Sequence, residues 1–289
     1  MTTRREFLLA AAAPAFQLVE TANEKIAFRR GGTLWFEYRF SKSRPKTYVH
    51  PLCAPGGRVL TLDGPADHIH HRGLMLAWSD VNGYDFWGET NPAPHGGILH
   101  QRFLRRRSRP PELAALNHWI AGGSVLLAER RTLRAPAITD DAVWLEWESE
   151  LRAVSGAVVL SARKSVYNGL GIRFIREMDG GRVLNSQGTA EIEKADGETA
   201  EWCAYWAEPG GQAAGVAIFD HPRNPRHPTP FFVMAEPFGY LSAAPTYREP
   251  WRLEPGRPLR VRWVVVAFDG PAEAGRLAGW YRRWTRRSL

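Results

Sequence analysis

Seven consecutive residues, Asp67-His68-Ile69-His70-His71-Arg72-Gly73, carry three imidazoles, a carboxylate and a guanidinium. Imidazole ordinarily titrates near neutrality, so such a run can move protons, hold a first-row metal or hydrogen-bond a polar ligand. A second stretch far along the chain, Asp220-His221-Pro222-Arg223-Asn224-Pro225-Arg226-His227-Pro228-Thr229-Pro230, adds two more histidines. Together the two stretches hold five of the nine histidines, and they are expected to converge on one polar site.

In an extended segment His68 and His70 share a face while His71 points across, because strand side chains alternate. Imidazoles at i and i+2 suit zinc, iron, manganese or copper, with His221 or His227 and a carboxylate completing the shell. The metal set expected is therefore His68, His70, His221 and His227, around a divalent ion. The same histidines serve equally as acid or base, as hydrogen-bonding groups for a sugar, or as satisfied core residues. In the acid-base reading His70 or His221 carries the proton, and Asp67 orients a histidine or binds a hydroxyl. Arg72, a planar fork beside a close backbone approach at Gly73, steadies an anionic oxygen together with Arg226.

Next along the chain comes Trp78-Ser79-Asp80-Val81-Asn82-Gly83-Tyr84-Asp85-Phe86-Trp87-Gly88-Glu89, where aromatics alternate with carboxylates around an Asn-Gly turn. A sugar ring offers apolar C–H faces to stack and hydroxyls to bind, so Trp78, Trp87, Asp85 and Glu89 are candidate substrate contacts. In Tyr167-Asn168-Gly169-Leu170-Gly171-Ile172-Arg173 the glycines bend the chain and Tyr167 and Arg173 reach toward a pocket. That segment lacks the G-x-G-x-x-G spacing and following helix of a dinucleotide site. The prolines of the second histidine stretch remove backbone donors and fix φ, giving either a rigid loop that positions His221, Asn224, Arg226 and His227 or a rigid connector. No Gly-x-Ser-x-Gly elbow and no phosphate-binding loop occur.

The elements that must position these groups read as strands. Leu34, Phe36, Tyr38 and Phe40 alternate with Glu37 and Arg39; Val143, Leu145, Trp147 and Leu151 lie opposite Glu146, Glu148 and Glu150. Similar runs recur at 125–134, 158–167, 189–194, 213–219 and 259–268, the pattern of antiparallel strands covered on one face. Pro55-Gly56-Gly57, Gly96-Gly97 and Pro209-Gly210-Gly211 punctuate them. Only the C-terminus has a helical period, with Pro271 in the first turn and Leu277, Trp280, Tyr281 and Trp284 at i, i+3, i+4 and i+7. The expectation is an all-β protein: one large antiparallel β-sandwich over 16–289, with a short C-terminal helix.

At 289 residues and 44% hydrophobic content the chain can bury a sizeable core. Its net charge of +8 comes from arginines dispersed among acidic residues, not the clustered footprint of a nucleic-acid binder; runs such as 105–107 and 282–283 read as solvated faces. Thr3-Arg4-Arg5-Glu6-Phe7-Leu8-Leu9, leading into Ala13-Pro14-Ala15, reads as a twin-arginine export signal over 1–15, hence a periplasmic or secreted protein. The apolar run is shorter than the roughly 18 residues a membrane span needs, so no stable membrane insertion is expected. Cys53 and Cys203 could pair or stay free.

His50-Pro51-Leu52, the segment Asp67 through Leu74, Asp85-Phe86-Trp87, Gly169-Leu170-Gly171, Ile218 through Pro230, Glu249-Pro250 and Leu253-Glu254-Pro255-Gly256 resemble the bacterial family filed as "methane oxygenase PmoA". A membrane oxygenase subunit would need transmembrane helices that this chain lacks. What the resemblance implies is an exported β-sandwich similar in outline to galactose-mutarotase-like sandwiches, in bacteria that degrade complex carbohydrates. Two departures stand out: Ile69 where proline is expected, and Ala204 and Ala207 where Asp and Gly are expected. The function expected is a carbohydrate-active enzyme of epimerase, lyase or hydrolase type, with a sugar or another small molecule as substrate. A non-catalytic periplasmic sugar-binding protein and a mononuclear metal oxygenase are the alternatives.

Overall fold

The period-two runs assemble into two large antiparallel sheets in a computed structural model that describes residues 15–89, 94–161 and 166–288. All of the expected export signal except Ala15 lies outside the described residues. The first sheet has nine strands, in spatial order Phe16–Thr21, Lys25–Arg30, Thr33–Arg39, Tyr48–Leu52, Leu74–Trp78, Asn168–Arg173, Tyr240–Ala243, Thr229–Met234 and Thr199–Ala200. The second has eight: Arg182–Asn185, Trp202–Ala207, Ala214–Asp220, Leu259–Asp269, Ala142–Ala153, Ser124–Arg134, Pro111–Ala121 and Gly97–Ser108. A small third sheet joins Trp251–Leu253, Val158–Ser161 and Asp80–Val81.

The large sheets pack face to face, since Trp78 of one lies 5.8 Å, ring to ring, from Trp119 of the other, and Tyr38 Oη donates to Asn117 Oδ1 across the gap. Alternation along each strand then sends Leu74, Leu76, Leu170 and Ile172 inward and leaves Met75 and Gly171 on the outward face. A polar knot lies inside the sandwich. Arg131 and Glu129, both fully buried, form a bidentate pair (2.8 Å for each bond), and Arg131 also donates to Thr47 O and Oγ1. Ser149 and Trp119 donate to the same carboxylate, so every charge there is compensated, as burial demands.

The helix Ala274–Ser288 lays Leu277, Trp280, Tyr281 and Trp284 on the outward face of the second sheet, against Trp144, Trp202, Phe219 and Phe268. Its apolar stripe is the one the sequence predicts, although the helix begins at Ala274, beyond Pro271. The run at 189–194 is not a strand: Ile192–Ala195 forms a single helical turn, where Glu193, Lys194 and Ala195 are good helix formers and Lys194 donates to Glu191. The Asn-Gly turn is realised with φ of 50° at Asn82 and 94° at Gly83. Cys53 and Cys203 are both buried and unpaired. Among the described residues no helix is long and apolar enough to cross a membrane.

Candidate functional site

Pro65 through His71 is not extended. His68 N–H donates to Pro65 O and His71 N–H to His68 O (both 2.9 Å), two successive turns that place all three imidazoles together instead of sending His71 to the opposite face. The ring of His71 lies 4.8 Å from His68, stacked, and 4.6 Å from His70, edge on. Gly73 closes the loop at φ +58°, where a Cβ would meet Val49 O at 2.5 Å, the close backbone approach its sequence context suggests.

A buried ionic frame holds this loop from behind. Arg72 donates through Nε to Glu89 Oε1 (3.0 Å) and through Nη2 to Glu89 Oε2, and its Nη1 reaches Asp63 (3.5 Å). Asp63 also accepts from Tyr48 Oη (2.8 Å). The ammonium of Lys46, 1% exposed, donates to His70 O (2.9 Å) and Trp87 O and lies 3.2 Å from Glu89 Oε1. Burial draws the Lys46 pKa down to about 8 against the opposing pull of Glu89. Burial raises the Glu89 pKa, but the Arg72 hydrogen bonds and the Lys46 charge outweigh it, and the carboxyl stays below its usual range.

In front of the frame stands the outward face of the nine-stranded sheet. Residues opposite one another across strands share a face: Arg173 opposite Tyr240, and Gly171 opposite Ser242, itself opposite Phe232. Gly171 is needed there because a Cβ would lie 2.1 Å from Tyr240 Oη. Trp87 stacks on Tyr167 (5.2 Å, 25°), and Tyr167 meets Phe232 edge on. Phe238 carries Arg173 over its ring at 4.0 Å, with His68 at 4.7 Å and His71 at 5.2 Å.

Four buried residues of this face keep polar atoms without a hydrogen-bond partner among the described residues: His71 Nδ1 and Nε2, Trp87 Nε1, Arg173 Nε and Nη2, and Tyr240 Oη. Each such group costs about 1–3 kcal/mol, so a fold tolerates several together only where something else rewards them. Burial, the charge of Lys46 and then His68 bring the His70 pKa down to about 4; burial and its neighbours His70, His68 and Arg173 bring His71 to about 2. Both rings are neutral at pH 7. Asp67, outside the frame, accepts from His68 Nδ1 (3.0 Å) and Arg176 (2.7 Å) and is held near a pKa of about 2, chiefly by the His68 bond.

Several expected contacts take other roles. Arg72 is not available to an anionic oxygen, its fork being committed to Glu89 and Asp63; the cation with unspent donors is Arg173. Trp78 is fully buried in the sandwich, its Nε1 donating to Thr246, because its strand position faces the other sheet. Asp85 accepts the backbone N–H groups of Trp87 and Gly88, shaping the turn that presents Trp87. Arg226, at φ 63°, donates to Pro245 O, Glu249 O and Pro250 O and stacks on Trp251, which makes it a strap for the proline loop. Asn224 bonds Asp220 and both backbone groups of Arg262, the N–H and the carbonyl, another strap.

The two histidine stretches do not meet. His221 follows the strand Ala214–Asp220 of the second sheet and shares the outward face of Phe219, beneath Trp284 of the helix (5.2 Å). The His70 loop stands on the outward face of the first sheet, and sheets packed face to face are about 10 Å apart, so the sandwich separates them. His227 donates to Asp220 (2.8 Å). His68, His70, His221 and His227 therefore cannot share an ion, and among the described residues no group of three or more His, Cys, Asp or Glu is arranged to hold a metal. Sequence reading missed Lys46, Phe232, Phe238 and Tyr240; only the glycine at 171, inside a strand, hinted at a bulky neighbour.

The family of unknown function DUF6807 has a model that matches residues 25–282; the oxygenase label expected from the motifs is not part of its description. No curated protein matches the chain. Among solved structures, the heparinase III-BT4657 gene product is similar over 89% of this chain and 36% of that chain, with 11% identity and a TM-score of 0.40. The chain thus spans about a third of that protein's length. A GalM/aldose epimerase homologue from C. elegans is similar over 90% of this chain and all of that one, with 10% identity and a TM-score of 0.37.

Proposed function

We propose that the chain, which belongs to the DUF6807 family, binds a sugar ring on the outward face of its nine-stranded sheet and acts on it by histidine acid-base chemistry. The observation that carries this reading is the set of buried polar atoms without partners among the described residues, on His71, Trp87, Arg173 and Tyr240, beside the neutral imidazole of His70. Tyr167, half-buried and backed by the buried Trp87, supplies aromatic surface for C–H faces, and the spare N–H groups of Arg173 suit a carbonyl, carboxylate or developing oxyanion. His70, half-buried and neutral, takes a proton from the substrate. Its pKa of about 4 makes the free imidazole a weak base at pH 7, so proton removal depends on Arg173 holding the substrate oxygen and acidifying the neighbouring C–H. Lys46, Arg72 and Glu89 position the loop and do not react. The aromatic wall is almost wholly buried behind the histidines, which favours an enzyme over an exposed binding platform.

Incubation with a panel of neutral sugars, uronic acids and oligosaccharides in deuterium oxide, followed by proton NMR, tests the reading. Exchange at a ring carbon or an unsaturated product, lost in Arg173→Met and His70→Ala, supports it; binding without turnover across the panel would leave a binding protein. The reading also carries twin-arginine export, tested by fractionating cells expressing the chain with Arg4 and Arg5 both changed to Lys: retention of the variant in the cytoplasm supports it, and unchanged export of the variant refutes it.

A further inference from the structure

The proline loop builds a second polar site on the opposite side of the sandwich. Asp220, 1% exposed, accepts from Asn224 Nδ2 (2.7 Å), His227 Nδ1 (2.8 Å) and Thr229 N–H (3.1 Å). Those bonds fix the turn that follows it, and with it His221, 2% exposed. His221 Nδ1 accepts the backbone N–H of Arg223 (3.1 Å), so in the neutral ring the proton resides on Nε2. The ring is neutral because burial and the nearby Arg262 hold its pKa down at about 4. That Nε2 has no hydrogen-bond partner among the described residues, and neither has Arg262 Nε.

His221 lines a cavity of about 280 Å³ with Arg223, Asn224, Arg260, Arg262 and Glu148. Glu148 and Arg262 are shared with a neighbouring cavity of about 290 Å³ that includes Arg134, Arg287 and Trp284. Five arginines line the two cavities against Glu146 and Glu148; Arg134 pairs with both glutamates, Arg262 with Glu146, and Arg260 with Glu150 beside the groove, so positive charge stays in excess. We propose that this groove is an anion-binding site, in which His221 Nε2–H and the surrounding arginines hold the carboxylate or sulfate of a ligand the size of one sugar acid. Arginine forks match planar oxyanions, and a buried neutral imidazole adds a directional donor without adding charge. The edge-on contact of His221 with Trp284 offers its ring proton at most a weak π contact.

Titration calorimetry with sodium glucuronate and with sodium sulfate, against glucose and sodium chloride at matched ionic strength, tests the site. Wild type is expected to bind at least one of the two oxyanions and not glucose; glucuronate alone identifies a carboxylate ligand, both together a general oxyanion site. Affinity should fall at least about tenfold in His221→Phe and several-fold in Arg223→Gln, whose exposed side chain makes it a safe variant for folding. Arg223 lies on the opposite side of the sandwich from Arg173 and the histidine cluster, so the affinity lost in Arg223→Gln belongs to this site and not to the sugar site. Equal affinity in wild type and Arg223→Gln, or heats no larger than those of sodium chloride, would overturn the proposal.

Discussion

Acidification should destabilise this protein through its histidine cluster well above the pH at which Asp67 titrates. His71 is fully buried and its pKa lies at about 2 in the folded chain, against 6.5 for an ordinary histidine. The unfolded chain therefore binds a proton that the folded chain refuses, and stability falls as pH drops below about 6.5, continuing down to the folded pKa. Between about pH 7.5 and about pH 5, a window of about 1.5 pH units below the unfolded pKa, His71 alone removes about 2 kcal/mol. His70, with a folded pKa of about 4, acts in the same direction, discounted because its ring is half-exposed. Asp67 stays out of this window, because its carboxyl loses its partners only as pH falls through the range from about 4 to about 2. Urea unfolding of wild type and His71→Phe at the two pH values isolates the effect: the variant should lose about 2 kcal/mol less than wild type. Parallel losses in the two proteins would refute the argument, since His71 would then be protonated in the folded state or exposed to solvent.

Lys46→Met should abolish a rise in stability of up to about 3 kcal/mol that wild type shows as pH climbs from about 8 to about 10.5, because the folded pKa is depressed to about 8 and the charged form is the strained one; identical pH slopes in the two proteins would contradict this. Gly171→Ala pushes a Cβ into Tyr240 Oη at 2.1 Å and should cost about 1–3 kcal/mol in urea unfolding while disturbing sugar binding; an unchanged midpoint would mean that the ring yields freely. Arg131→Met strands Glu129 inside the sandwich and should cost about 3–5 kcal/mol, with a loss below about 1 kcal/mol counting against a fully buried pair.

Much of the architecture was written in the period of the apolar residues. Val143, Leu145, Trp147 and Leu151 do face the sandwich core, and Leu277, Trp280, Tyr281 and Trp284 do form the buried stripe of the helix. Local chemistry deceived at Ile192–Ala195, where the alternation of Ala190 and Ile192 with Glu191 and Glu193 mimicked a strand but helix-forming residues took a turn. The His68 to His71 cluster was visible as composition, yet its geometry was not, because two turns rather than an extended backbone decide where the rings point. Pairing of the two histidine stretches failed for a topological reason: proximity across a sandwich depends on which sheet and which face each strand end occupies, and neither is encoded in local pattern. Lys46 escaped notice because a lone lysine before a strand looks solvated; only long-range contact with Glu89, Trp87 and His70 makes it a buried strut.

The central claim, that the cluster on the nine-stranded sheet performs proton chemistry on a sugar, is tested most directly by comparing turnover in wild type and His70→Ala on whichever sugar of the panel exchanges solvent deuterium. The account predicts unchanged folding, retained binding and a rate lower by about 10²-fold or more, the scale of losing a general acid or base. A His70→Ala protein that exchanges deuterium as fast as wild type would contradict it.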